Sequence, residues 1–577
     1  DAREFPVSYN LTSADIQKNS ATIANIRLWD WRPMTTTLEQ LQLFRTYYVF
    51  HDVDVDRYRL NGTYKQVLIS AREMNTNNLP SQAQTWVNQH LVYTHGYGAV
   101  MSPVDKVTAN GLPEFYVKDI PPTSPYLTLD QPRIYYGEGN NPYIITNSET
   151  DEFDYPSGNE NIYTVYDKTG GVLLSGLSKL VYAINFGSVE LLVSGSLTPE
   201  SRLHLHRNIL DRVKTIAPFL TYDSDPYVVI ANGRLNWIID AYTTSDRYPY
   251  SESTLPPDQS GRPVNYIRNS VKVVVDAYTG DIGYYVVDQS DPMINTYEKI
   301  FPGLFRQVDQ MPGELRGHLR YPHGFFQVQA EMYATYHMKD PRVFYNREDA
   351  WVIPDEVYRG SRQRIEPYYV IMKLPGEKKE EFILMMPFTP RDKQNLIGWM
   401  AARCDPDDYG KLIVYQFSKQ ELTYGPMQIE ARIDQNPEIS QSITLWSQAG
   451  SSVVRGNTLI IPIENSLLYV EPLYLEATEK GTLPQLQRVI VSYSDRLTMQ
   501  PTLAGAMNVI FGGEQPVVSD KGETVPAAPD NTGILGQVAG LYTRAQEALS
   551  LGKLGDYQQY VDQIGGLVSG YALNSTG

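Results

Sequence analysis

Residues 51–56 read HDVDVD, so Asp52, Asp54 and Asp56 recur at every second position. At that period a strand presents all three carboxylates on one face. Such a set suits a hard divalent cation of the calcium type. The run continues to Asn61-Gly62, a strong two-residue hairpin signal. A tight turn there pairs Leu60 with Thr63, and by the same register Asp56 meets Val67, Asp54 meets Ile69 and Asp52 meets Ala71. Carboxylates on a face that the partner strand makes apolar each need a donor or a cation. Arg45, Arg57 and Arg72 are near enough in sequence to serve, and calcium is the alternative. The EF-hand pattern fails, because its glycine position holds Arg57 and its final glutamate position holds Thr63. A phosphotransfer aspartate needs an open loop, and this one runs into a hairpin. Solvated or paired carboxylates are the commoner fate of such clusters, including the acidic turns at 221–227, 288–292 and 404–410.

Six of the eight histidines fall in pairs: His90 and His95, His204 and His206, His318 and His323. Metal-binding histidines on a helix need four-residue spacing to share a face. His90 and His95 stand about 140° apart on a helix, and His204 and His206 about 200° apart. His206 is expected on the inner face of a helix, as a hydrogen-bonded core residue. Cys404 is expected at a helix C-terminus, where the dipole raises a thiol pKa. The sequence has no G-x-S-x-G elbow, no GxxxxGK[ST] loop and no GxGxxG turn.

Residues 222–250 gather acids, arginines and aromatics at strand ends and turns, where binding sites concentrate. Asp225, Arg234, Trp237, Asp240, Tyr242 and Arg247 are the candidate ligand-binding residues. The competing reading is a hydrogen-bonded strand core.

Positioning these residues takes an α+β fold of several interlocked subdomains with mixed sheets. Periodicity predicts helices over 35–48, 172–186 (mostly buried), 199–217 (Thr198 N-cap, Pro199 first turn) and 437–446 (Asn436 cap). Thr279-Gly280-Asp281 predicts a hairpin turn. Residues 381–417 read as strand, helix, strand, hence one βαβ unit. The expected organisation is an N-terminal α+β subdomain (1–165), a central one (166–365), a βαβ-containing one (366–511), a linker (512–533) and a C-terminal helical hairpin (534–571).

The chain has 577 residues and a net charge of -17. That balance disfavours nucleic acid and anionic lipid surfaces as partners. One cysteine excludes an internal disulfide. No apolar run of 18 residues is present, so no span is expected within this sequence, and any targeting segment is expected upstream of Asp1. Tyrosine is abundant, 43 against 16 Phe, which suits half-buried strand and interface positions.

The stretches NSATIANIRLWDWRP, HLVYTHGYGAVMSPV, GLPEFYVKDIPP, IAPFLTYDSDPYVV and YGPMQIEARIDQNPEIS resemble, in order, a widespread bacterial family of large uncharacterised membrane proteins. Its members carry several N-terminal spans followed by a large extracytoplasmic domain. The resemblance implies that this chain is the extracytoplasmic part, with upstream transmembrane segments of the same protein as partners. It implies no catalytic residues. The expected function is a ligand- or partner-binding envelope module. The alternatives are the soluble part of a transport or export assembly, and a cation-dependent envelope hydrolase. No cofactor is expected beyond calcium; an extracellular ligand or protein and a second copy of the chain are the open partners.

Overall fold

A computed structural model describes residues 1–512 apart from 141, 258–260, 449 and 478–482, together with 541, 542, 545 and 557–565. About 26% of the chain is helix and 34% strand, in several mixed and antiparallel sheets, so the fold is α+β.

Residues 1–516 form one compact unit. Its largest apolar core runs from Phe5 to Ile510 and draws on all three stretches divided above. One six-stranded sheet has the order Ala2–Phe5, Leu412–Phe417, Gly398–Arg403, Glu380–Pro390, Trp351–Val352, with Tyr368–Lys373 also on Glu380–Pro390. A second runs Thr221–Tyr222, Arg234–Ser245, Tyr266–Asp276, Ile282–Val286, Phe305–Gln307, with Tyr227–Ala231 on Arg234–Ser245. A three-stranded sheet joins Asp54–Leu60, Thr63–Ala71 and Ala99–Pro103.

The Asn61-Gly62 hairpin forms in the expected register, with Leu60 opposite Thr63, Asp56 opposite Val67 and Asp54 opposite Ile69; the ladder begins at Asp54, so the expected pairing of Asp52 with Ala71 lies outside it. Both turn residues have positive φ, 48° and 79°, which Asn and Gly adopt at low cost. The hairpin at 279–281 also forms, since Tyr266–Asp276 pairs antiparallel with Ile282–Val286. Asn436 caps the helix Pro437–Trp446, accepting from the amides of Glu438 and Ile439 at 3.1 Å each. The helix expected at 35–48 starts earlier, at Trp31, because Asp30 caps it by accepting from Arg32 N at 3.0 Å.

Three expectations are corrected. The βαβ unit is absent: Gly398–Arg403 is a strand, antiparallel to both neighbours. Its residues are buried throughout, and a short, fully buried apolar run has no period to separate strand from helix. The parallel pairings lie elsewhere, between Ala2–Phe5 and Val414–Phe417 and between Tyr284–Val286 and Phe305–Gln307.

The helix expected at 199–217 divides into a strand, Arg202–His204, and a helix, Ile209–Ile216, capped by Asn208. Thr198 makes a local turn instead: its hydroxyl accepts from Glu200 N at 3.2 Å and donates to Asn147 O at 2.9 Å. Hydroxyl residues serve turns as readily as caps. His204 is therefore the buried histidine and His206, with φ 47°, the exposed one.

The stretch 172–186 gives a short strand, Val172–Leu173, and a helix, Gly176–Phe186, of which only Ala183 is buried. It was expected to be mostly buried. Of residues 517–577, which form a separate unit, those described are helical. The expected linker beyond residue 512 and much of the helical hairpin lie outside the described residues. Among the described residues no helix is long and apolar enough to cross a membrane.

Candidate cation site

Asp52 and Asp54 sit at the open end of the Asn61-Gly62 hairpin. The Asp52 carbonyl accepts from the Ser70 hydroxyl of the partner strand, which fixes the chain just before the strand begins. The Asp54 carboxylate accepts from Val228 N at 3.0 Å. That bond ties the hairpin to the strand Tyr227–Ala231 and brings the preceding turn, with Asp225, against it. Asp225 is itself shaped by an Asx turn, its amide donating to Asp223 at 3.1 Å. Carboxylate oxygens of Asp52, Asp54 and Asp225 all lie within 4.8 Å of one another. Calcium–oxygen bonds of about 2.4 Å place ligands on opposite sides of the ion about that far apart.

Two further carboxylates press on this group. Glu138 shares a side-chain hydrogen bond with Asp52. Glu73 accepts from the amides of Glu138 and Gly139, at 2.7 and 3.1 Å, and so anchors their loop. A Cβ at residue 137 would lie 2.4 Å from the Glu73 carboxyl group, so a larger residue there would displace that carboxylate from its place.

Of these five carboxylates, Asp54 and Asp225 lie directly against one buried guanidinium. Arg320 donates to Asp54 at 3.1 Å, approaches Asp225 at 3.5 Å and donates to the Val55 carbonyl at 2.9 Å. Its guanidinium lies 3.9 Å from the Tyr227 ring centroid. One cation cannot balance the set, and the excess charge raises proton affinities. Burial, then repulsion from Asp225, pushes the Asp52 carboxyl up to about 7. Burial and Asp52 hold Asp54 well above the usual carboxylate range, and burial with Asp52 and Asp54 does the same to Glu138. His323, near Asp225 and Arg320, is kept neutral by burial and bonds the Pro367 carbonyl at 2.9 Å.

Asp56, grouped with Asp52 and Asp54 by alternation, is not in this cluster. His318 Nδ1 lies 2.8 Å from its carboxylate, and Arg57 3.4 Å from it. Burial alone would raise Asp56; these partners more than offset it and hold it below the usual range.

The other ligand-binding candidates do not converge. Trp237 is buried, its indole N–H donating to Tyr136 O at 2.9 Å. Tyr242 is buried and donates to Asp223. Asp240 is paired with buried Lys272, and Arg234 pairs with Asp276 at 2.7 Å. Arg247 stands in solvent beside Asp246. Alternation along Arg234–Ser245 sends these side chains to both faces of one sheet. Only Asp225 joins the acidic site. Glu73, Glu138 and Arg320 were missed, and no local pattern marks them, since they come from three distant loops and strand ends.

The histidines are mostly structural. His204 bonds Tyr136 Oη at 2.8 Å and Thr146 Oγ1 at 2.9 Å, and burial lowers it to about 3. His95 lies between Thr94 (2.8 Å) and Asp154 (3.2 Å), fully buried. His90 and His206 line one open cleft of about 400 Å³, but His90 is stacked on Tyr143 and bonded to its carbonyl at 2.6 Å. An open cleft of about 590 Å³ lined by His337, Asp349 and Lys419 has its Lys419 ammonium paired to Asp349 at 2.6 Å. Cys404 ends a strand rather than a helix; burial pushes its thiol up to about 11.

Residues 1–446 match the model of an uncharacterised protein family, UPF0182. The chain belongs to this family. It is 74% identical over 574 residues to a UPF0182 protein of Methanospirillum hungatei JF-1, a match covering 99% of this chain and 64% of that protein. UPF0182 proteins of Pelotomaculum thermopropionicum (54% over 514 residues; 89% of this chain, 56% of the relative) and Trichodesmium erythraeum (49% over 565; 95% and 61%) are similar along most of its length. The chain therefore spans 56% to 64% of these relatives. No solved structure matches it.

Proposed function

We propose that this UPF0182 chain is the extracytoplasmic part of an integral membrane protein of the cell envelope. It works there as a non-catalytic binding module whose ligand is a divalent cation of the calcium type. The observation that carries the cation reading is the approach of Asp52, Asp54 and Asp225 within 4.8 Å, where burial and mutual repulsion raise the proton affinity of Asp52 and Asp54. A divalent ion would relieve that repulsion in place of protons, with hard oxygen donors as its ligands. Millimolar calcium outside cells suits a site of modest affinity. The part of the relatives beyond this chain leaves room for the membrane spans that the family resemblance implies.

Calorimetric titration of calcium and of magnesium into chelator-stripped protein tests the cation reading. Saturable calcium binding lost in Asp54→Asn is expected, and an identical melting temperature in calcium and in chelator would remove the cation. Location is tested separately, by adding protease to intact cells that make the full-length relative. Digestion of this segment is expected, and complete protection would place it inside.

A further inference from the structure

The cleft of about 590 Å³ opens at one edge of the first six-stranded sheet, where Trp351–Val352 is the last strand. Its wall includes His337, just past the helix His323–Tyr336, Trp351 itself, and Phe417 and Lys419 from the end of the strand Leu412–Phe417. None of the acidic-site residues lines it.

Two polar atoms of that wall have no partner. The side chains of His337 and Trp351 are each only 5% exposed, and their rings stack at 3.9 Å. Among the described residues nothing bonds His337 Nε2 or Trp351 Nε1. A buried polar atom left unbonded is costly, so each such atom calls for a partner.

The tautomer decides what His337 needs. Its Nδ1 lies 3.1 Å from the Tyr333 carbonyl, which can only accept, so Nδ1 carries the proton of the neutral ring and Nε2 keeps a lone pair. The nearest charged group, the Asp349 carboxylate, is also an acceptor, and at 3.7 Å it is beyond hydrogen-bond reach. His337 Nε2 therefore needs a donor, and Trp351 Nε1–H needs an acceptor.

Hydroxyl groups supply both. The charges in the wall give no strong pull on an ion of either sign, since Lys339 and Lys419 stand against Asp340, Glu348 and Asp349, and Lys419 is already paired to Asp349 at 2.6 Å. Val343, Ile397 and Phe417 add apolar surface, on which the C–H face of a sugar ring can pack while its hydroxyls reach the polar wall. Clefts of about 300–1,000 Å³ that combine apolar surface with a few fixed polar groups hold small ligands in this way.

We propose that this cleft is a second binding site, for a neutral saccharide. One hydroxyl donates to His337 Nε2, another accepts from Trp351 Nε1, and Asp349 and Lys419 hold further hydroxyls at the rim.

Saturation-transfer NMR of the full chain with glucose, galactose, mannose, N-acetylglucosamine and maltose tests this. Working in chelator keeps the result independent of the cation site. At least one of the five should bind with a Kd below about 10 mM. His337→Phe, which keeps the stack on Trp351, and Asp349→Asn should each weaken that binding at least about tenfold. Asp349 is 32% exposed and a surface ion pair contributes little to stability, so Asp349→Asn should melt with the native chain and decides the matter even if His337→Phe folds poorly. No binding by any of the five would leave those wall atoms to water and overturn the inference. So would binding that neither substitution weakens, or inorganic phosphate displacing the sugar and binding more tightly to Asp349→Asn.

Discussion

His318 Nδ1 lies 2.8 Å from the carboxylate of Asp56, on the strand where Asp54, two residues earlier, is met by Arg320 at 3.1 Å. Residues 318 and 320 thus hold residues 56 and 54, so one short segment supplies the polar partners for one strand face. The two carboxylates nevertheless have opposite proton affinities. Asp56 has a matched set of donors, and Asp54 shares its guanidinium with a crowd of other acids.

Removing His318 should therefore be costly. His318→Ala leaves Asp56, fully buried, with Arg57 as its remaining charged neighbour, and breaking a buried pair by deleting one partner costs about 3–5 kcal/mol. The double variant His318→Leu with Asp56→Leu should recover most of that loss, because no buried charge is stranded. Urea denaturation of the three proteins checks both statements. Equal stability of His318→Ala and the native chain would show that Asp56 needs no histidine.

The acidic site should make stability fall with rising pH in chelator. Asp52 is raised to about 7 in the folded chain, from 3.8. A raised carboxyl binds its proton more tightly folded than unfolded. Its contribution is fully present below pH 4 and is lost as pH rises towards 7. Asp56 has the opposite sign, its stabilisation being lost in acid. The two are separated by comparing melting temperatures of the native chain and Asp52→Asn between pH 5 and 8 in chelator (~0.1 M salt). The native protein should lose several degrees relative to the variant, and calcium should cancel that loss. A constant difference across the range would count against a protonated Asp52.

Cys404 should be inert. Its sulfur accepts from Tyr321 N at 3.3 Å and lies 3.7 Å from the Ala402 carbonyl, and burial keeps the thiol protonated. A thiol reagent should label native protein at least ~100-fold more slowly than denatured protein. Rapid native labelling would mean that the core around Tyr321 opens often.

How much of this was legible follows from where each signal lives. The Asn61-Gly62 hairpin is written in its own residues, so its register and the shared face of Asp54 and Asp56 could be derived. The Asn436 cap is local in the same way. The completion of the site was not legible, because Asp225, Glu73, Glu138 and Arg320 reach Asp54 only through tertiary packing. The Gly398–Arg403 strand was misread because an apolar run buried on both faces carries no period. The helix at 176–186 was read as buried for a related reason: a sequence shows that a face is apolar, and not whether the same chain covers it.

Arg320 gives the sharpest test of the acidic site as a whole. Its guanidinium is the one strong cation in direct contact with Asp54 and Asp225 among the described residues, so Arg320→Gln removes positive charge and leaves the carboxylates in place. In chelator the variant should be destabilised by about 3–5 kcal/mol, as for any stranded buried charge. If a cation belongs between those oxygens, calcium should offset most of that loss, and the variant should bind calcium more tightly than the native chain because a competing charge has gone. Parallel denaturation and titration of both proteins read the two effects. A variant as unstable in calcium as in chelator would mean that Arg320 is the site's own counterion, and that these carboxylates were arranged for it alone.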